Sequence, residues 1–269
     1  TYWSAGGCSG TVPPQIHSDQ HALVFNPFTT NAALSGNDGG LYYSTDMNNA
    51  TPTWSAKNSG YNVTQYYAVA THPSTSDYVL GGTQDNGTHK LTTSGVGSGS
   101  SASGGDGGFC FIDQNNSTYQ LTSYVYNNWY LSGNSGSSFT SQSSSNASTG
   151  RFINPADLDD ANNLLFSAGS SNYLEVRSGV NSSSLSRTTH NLGFNSNQLT
   201  ALKVSPNNTT TMYVGDDDGN VYKITSRSGT PSKAATWSVG SSGQYVSSID
   251  VWESSSGDDD SILVTISSY

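Results

Sequence analysis

Residues 201–225 read ALKVSPNNTTTMYVGDDDGNVYKIT. The apolar run Ala201-Leu202-Lys203-Val204 stops at Ser205-Pro206, and a polar stretch leads into Met212-Tyr213-Val214. Asp216 to Gly219 then turn the chain into Val221-Tyr222-Lys223-Ile224. Apolar runs of this length, bounded by Pro, Asn, Asp and Gly, predict strands joined by tight turns. No stretch of the chain shows the 3.6-residue period of an amphipathic helix.

The same order of events recurs along the chain. Residues 22–45, ALVFNPFTTNAALSGNDGGLYYST, and 68–92, AVATHPSTSDYVLGGTQDNGTHKLT, repeat it with Pro27 and Pro73 at the first turn. Weaker copies occupy 108–132 (Asp113 near the proline position), 151–176 (Pro155) and 247–269. Turns near 27, 73, 114, 155, 206 and 253 set a period of about 40–50 residues, the length of a propeller blade. The expected fold is an all-β propeller of roughly 45-residue, four-stranded blades, with 1–269 as one domain. Six repeats are visible, which suits a six-bladed ring or part of a ring of up to eight blades. The last repeat stops after its second strand, near Ser267. Thr1-Tyr2-Trp3-Ser4 matches Thr53-Trp54-Ser55 and Thr236-Trp237-Ser238, so it is expected to supply a closing outer strand. The alternative expectation is that the chain is a fragment of a longer protein.

Composition narrows the function classes. Nine Lys+Arg against nineteen Asp+Glu give a net charge of −10, which leaves no electrostatic footprint for nucleic acid. No apolar run approaches the ~18 residues of a membrane-spanning helix. Ser, Thr, Asn and Gly fill 131 of 269 positions, a bias that alone would suit disorder. The 16 Tyr, 8 Phe and 5 Trp argue instead for a packed core. Cys8 and Cys110 allow one disulfide, which fits a secreted or cell-surface protein. Sequons such as Asn62, Asn86 and Asn146 carry little weight in a chain so rich in Asn, Ser and Thr.

Candidate site residues cluster at the glycine-rich turns. Asp38 lies in Asn37-Asp38-Gly39-Gly40, Asp85 in Gln84-Asp85-Asn86-Gly87 and Asp106 in Gly105-Asp106-Gly107-Gly108. Asp-Gly is first of all a good turn, because glycine accepts φ > 0. Their turns fall at equivalent repeat positions, so all three are expected at one mouth of the ring, where crowded carboxylates raise one another's pKa. His17, Asp19 and His21 alternate, so a strand would turn them to one face. That face suits a transition metal, but hydrogen bonds to neighbouring mouth loops are the plainer expectation, with no metal and no cofactor. The acidic runs Asp216–Asp218 and Asp258–Asp260 read as a hairpin and a solvated tip, with Ca2+ at such loops as the remaining option. Tyr66, Tyr67, Tyr124, Tyr126, Trp129 and Tyr130 are candidate stacking surfaces for sugar rings, with core packing between blades as the plainer expectation.

Two further segments carry a family likeness. Ser132-Gly133-Asn134-Ser135-Gly136-Ser137-Ser138-Phe139 resembles the Asp-box, S-x-D-x-G-x-T-W, with Asn for Asp and Ser for Thr. Ser44-Thr45-Asp46 with Thr53-Trp54 resembles the same box with an insertion. Together with His17–Ala22, Gly36–Gly40, Gly81–Gly87 and Gly104–Phe109, the chain is similar to the secreted BNR/Asp-box propellers of large bacterial extracellular proteins. That group includes sortilin-type ectodomains, sialidases and xyloglucan-cleaving endoglucanases. The resemblance implies an extracellular recognition or scaffold propeller that binds a glycan or a cell-surface protein at the mouth. Asp19, Asp38, Asp85, Asp106, His17, His21, Trp129 and Tyr130 are the ligand-binding candidates. The endoglucanase likeness implies a rival: inverting glycoside hydrolysis with Asp38 and Asp106 as acid and base. Sialidase chemistry fits poorly, since Arg151, Arg177, Arg187 and Arg227 fall in no matching motif. A third expectation is a self-associating subunit of an extracellular filament or surface layer.

Overall fold

The computed structural model describes residues 16–17, 19–61, 63–95, 99–142, 148–194, 198–252 and 261–268. The strand–turn pattern builds successive antiparallel sheets. Blade A contains β1 (Gln20–Phe25), β2 (Ala33–Asn37), β3 (Gly40–Ser44) and β4 (Ser55–Ala56). Blade B contains β5 (Tyr66–Thr71), β6 (Val79–Thr83), β7 (Gly87–Leu91) and β8 (Ser100–Ser103). Blade C contains β9 (Cys110–Ile112), β10 (Gln120–Ser123), β11 (Trp129–Ser132) and β12 (Thr140–Ser141). Blade D contains β13 (Ala156–Asp159), β14 (Leu164–Ala168), β15 (Tyr173–Ser178) and β16 (Ser186–Asn191). Blade E contains β17 (Leu199–Val204), β18 (Met212–Asp216), β19 (Asn220–Thr225) and β20 (Ser232–Ser238). Blade F contains β21 (Tyr245–Val251) and β22 (Ile262–Ser267). Strands pair in sequence order within each blade, and no helix occurs among the described residues. The fold is an all-β propeller of repeated blades, as the repeat predicts.

Alternation along each strand gives every blade two usable faces. In blade E, Met212 and Val214 pack toward blade D with Phe166, Leu174 and Tyr222, while Ala201 and Tyr213 pack toward Val246 and Ile249 of blade F. Leu121, Trp129 and Leu131 of blade C meet Ala156, Leu158 and Leu165 of blade D. Leu80 of blade B meets Cys110 and Ile112 of blade C. Each fully buried Leu, Ile or Val contributes about 1.5–3 kcal/mol relative to exposure. Among the described residues this apolar core runs from B to F and does not reach blade A. Leu23, Val24 and Phe25 of β1 stay 54%, 61% and 60% exposed, and Val69 of β5 stays 63% exposed.

At the end of the blades away from the mouth, one device recurs. The residue closing the inner strand accepts a backbone N–H two or three residues on: Asn26 from Phe28, His72 from Ser74, Asp113 from Asn115, Asp159 from Asn162 and Ser205 from Asn207. Such side-chain turns explain why proline and Asx/Ser residues share this position. One register differs from the sequence expectation. Pro155 precedes β13, and the matching turn of blade D follows Asp159.

The turn between third and fourth strands uses one position in four ways. Asp46 of blade A accepts from Thr53 N at 2.9 Å and from Ser44 Oγ at 2.8 Å. Asn134 of blade C accepts from Ser138 N at 3.0 Å and from Ser132 Oγ at 2.8 Å. These bonds hold the Asp46 carboxyl down to about 2, the Thr53 amide contributing most. In blade D the matching Val180 is buried in the C/D core. In blade E it is Arg227, 2% exposed, whose Nε donates to Asp159 at 2.6 Å and whose Nη1 donates to Asn208 O at 2.6 Å.

Cys110 meets no other cysteine among the described residues; its buried sulfur lies 3.5 Å from Leu80 O, and burial pushes its pKa up to about 12. Cys8, its expected disulfide partner, lies outside the described residues, as do Thr1–Ser4, Asn62, Asn146, Asp258–Asp260 and the turn near 253.

Arg227→Met should destabilise the fold by about 3–5 kcal/mol, because it leaves the Asp159 carboxylate buried without its cation. Adding Asp159→Asn should recover most of that loss in urea unfolding, since the amide still caps the turn.

Candidate functional site: a carboxylate and histidine cluster at the mouth

Two equivalent turns bring the first carboxylates together. Asp38 stands between β2 and β3, where Asn37 Oδ1 accepts the Gly39 N–H at 2.9 Å. A Cβ on Gly39 would run into the His17 ring, so glycine is required for that close approach. Asp85 stands between β6 and β7 with φ 61°, a left-handed conformation that Asp tolerates.

Asp106 arrives by another route. It does not occupy a turn matching Asp38, contrary to the sequence expectation, because the equivalent turn of blade C spans Tyr124–Asn128, between β10 and β11. Asp106 lies on the segment entering blade C, which runs alongside the β6–β7 hairpin. Gly87 N donates to Gly105 O at 2.6 Å and Gly107 N donates to Thr83 O at 2.8 Å. A Cβ on Gly82 would overlap the Gly108 carbonyl, and one on Gly107 would overlap Gly87. The paired glycines of both motifs thus permit backbone contact. The result is a bond from Asp85 N to Asp106 Oδ1 at 3.1 Å.

The histidines converge without sharing a strand, which corrects the alternation argument. Asp19 is left-handed at φ 57°, and only His21 belongs to β1. His17, 4% exposed, places Nε2 3.2 Å from Asp85 O. His21 is bulged out of the β1–β2 ladder between Gln20 and Ala22 and bonds the Asp38 carboxylate through Nε2. Blade B repeats the bulge between Tyr66 and Ala68, which sets Tyr67 at the matching point. Bulges re-aim side chains in this way at functional edges. Tyr67, one of the tyrosines read as stacking candidates, feels the charges of Asp106 and Asp85. Burial and those charges raise its pKa.

Oxygens of Asp19, Asp38 and Asp85 lie within 4.8 Å of one another. The environment separates their protonation. The His21 hydrogen bond lowers the Asp38 pKa, and the same bond raises that of His21. Asp85 is raised, first by burial, then by the Asp106 charge and a hydrogen bond with Asp38. The mouth therefore sets carboxyls of unequal proton affinity, Asp85 above Asp38, beside an imidazole that holds its proton more tightly. Three carboxylate oxygens are also the donor type that a hard cation prefers, although calcium takes about 6–8 oxygens.

Six of the eight ligand-binding candidates thus meet: His17, Asp19, His21, Asp38, Asp85 and Asp106. Trp129 does not. It is 0% exposed in the C/D core, and its indole N–H donates to Asn127 at 3.2 Å, so it offers no stacking face. Tyr130 follows it on β11, half-buried in the blade C sheet opposite Thr122 and Ser141. Asp216 is a structural turn residue, accepting from Asp218 N, Asn220 N and the Tyr222 hydroxyl at 2.9, 2.8 and 2.6 Å. No family model matches this chain, and no curated protein matches it.

Two titrations follow from the cluster. His21 should titrate above 6.5 by NMR and fall back toward 6.5 in Asp38→Asn. Its raised pKa stabilises the fold below ~6.5, and the contribution disappears as pH rises through the folded-state value. Asp85 has the opposite effect, since ionising it costs more in the folded state. Asp85→Asn should therefore raise Tm at pH 7, with the gain closing as pH falls below ~4.

Proposed function

We propose that the chain is an extracellular recognition propeller that binds a glycan at the mouth between blades A and B. The observation that carries this reading is the convergence of Asp19, Asp38, Asp85 and Asp106 with His21 at one end of the ring. A polar ligand rich in vicinal hydroxyls matches that mixture of acceptors and donors. Asp38 and Asp85 supply carboxylate oxygens that accept, and the His21 imidazole supplies a donor. Tyr61, 54% exposed, lines the same inter-blade cleft with Asp38, Asn86 and His89 and offers an apolar ring face beside the polar cluster.

The hydrogen-bonded turns at Ser44–Thr53 and Ser132–Ser138 support the Asp-box likeness. In each, the Asp or Asn ties the hairpin through its side chain while the Ser hydroxyl donates to it. The likeness supports a secreted or cell-surface setting.

The rival reading is inverting hydrolysis by Asp38 and Asp106. It needs a pair about 6.5–9.5 Å apart with open water access between them. Asp38 is engaged by His21 and grouped with Asp19 and Asp85, and Asp106 is engaged by the Asp85 amide. That arrangement supports binding over bond cleavage.

Screening soluble β-glucans, xyloglucan and other plant and bacterial polysaccharides should give a saturable ligand. Asp38→Ala or Asp85→Ala should weaken it at least about tenfold, the equivalent of ~1.4 kcal/mol. No binding to any polysaccharide would overturn the reading. Reducing-sugar release from xyloglucan that vanishes in Asp38→Asn and Asp106→Asn would replace it with the hydrolase.

A further inference from the structure

The one-residue bulge of β1 and β5 recurs in two more inner strands. The β17–β18 ladder shifts between Leu199 and Ala201, and the β21–β22 ladder shifts between Val246 and Ser248. Thr200 and Ser247 therefore stand where His21 and Tyr67 stand in blades A and B. Gln198, just before β17, is tied to Asp217: Asp217 N donates to Gln198 O and Gln198 N donates to Asp217 Oδ1, both at 3.2 Å. Asp217 lies in the β18–β19 turn, the equivalent of the turns of Asp38 and Asp85. This sector of blades D, E and F thus opens at the same end as the carboxylate cluster, on other blades.

A cavity of about 400 Å³ occupies the sector, lined by Arg151, Thr200, Tyr245, Val246, Ser247 and Ser267. No carboxylate lines it. Of the four arginines, Arg151 alone forms no ion pair among the described residues. Its guanidinium is nevertheless held in place. Nη1 donates to Gln198 Oε1 at 2.9 Å, and the group lies 5.4 Å over the centre of the Tyr245 ring. The backbone is fixed as well: Arg151 N donates to Oδ1 of Asn154 at 2.9 Å, and the buried Asn154 amide is anchored on Asn127 Oδ1 and Ala168 O.

We propose that this cavity is a second binding site of the mouth, which takes an acidic sugar through a carboxylate or sulfate ester on Arg151. A positioned planar cation matches an oxyanion, whose oxygens accept parallel N–H bonds. Gln198 occupies one of the guanidinium N–H groups, which leaves the rest of the fork for such a group. Thr200 Oγ1 donates to Val246 O at 2.7 Å and Ser247 Oγ donates to Thr265 O at 3.2 Å, so both hydroxyl protons are committed to blade F. Their oxygens still accept, which suits the hydroxyls of a sugar. The volume admits a ligand of monosaccharide size. The site stands independently of ligand binding between blades A and B, because it shares no residue with that cluster.

The full chain is titrated by NMR with D-glucuronate and with D-glucose 6-sulfate, and D-glucose serves as the neutral control. We expect saturable shifts of the Arg151 Nε–H and of the Thr200 and Ser247 amides with at least one acidic sugar, and the sugar that saturates names the anion. D-Glucose should bind at least about tenfold more weakly. Arg151→Gln should abolish the response. Arg151→Lys keeps the charge but loses the planar fork, and should weaken binding by about tenfold. Asp85→Ala should leave the affinity unchanged. The proposal is overturned if neither acidic sugar saturates, if D-glucose binds equally well, or if Arg151→Gln binds as the parent does. An equal loss in Asp85→Ala and Arg151→Gln also overturns it, because one site then accounts for both.

Discussion

Burial of one sheet face against the next is the constraint on which the molecule depends. Every blade from C to E buries both faces, and blade B buries the one that meets blade C. This is why a chain with so many Ser, Thr, Asn and Gly residues can still fold. Each blade needs only a few large side chains per strand, such as Leu121 and Leu131 or Val214 and Tyr222. The hydroxyl and amide residues serve the turns instead, where they accept backbone N–H groups that water would otherwise satisfy.

The period of the sequence made the fold legible, and the failures of reading are equally physical. Pro155 looked like the turn proline of its repeat, yet Asp159 caps that turn, because Asp and Ser do the same work as the Pro position elsewhere. Trp129 looked like a sugar platform because one sequence cannot tell which face of a short strand is inward. The structure puts it in the core, where Asn127 satisfies its N–H. Buried pairing across blades was illegible altogether. Nothing in the sequence around Arg227 points to Asp159, 68 residues away, since the contact exists only once blade E stacks on blade D.

The candidate site was half legible. The Asp-Gly turns announced Asp38 and Asp85, and equivalence of the repeats predicted that they would share a mouth. Asp106 reached the same place through a segment that glycines let lie directly against a neighbouring hairpin. His21 and Tyr67 owe their direction to a one-residue bulge that recurs in both blades. A bulge leaves no signature in alternation except a missed beat, which short strands hide.

The absence of apolar packing between blades A and B, among the described residues, has a thermodynamic meaning. Polar contacts made by His17, Asn86, Asp38 and Asp85 join the first blade to the second. Water competes with such contacts far better than with buried leucines, so the seam between blades A and B is expected to open at a smaller free-energy cost than the seams from B to F. A ligand bridging Asp38 and Asp85 spans that seam. Occupancy and attachment of the first blade are then linked, and each makes the other more favourable.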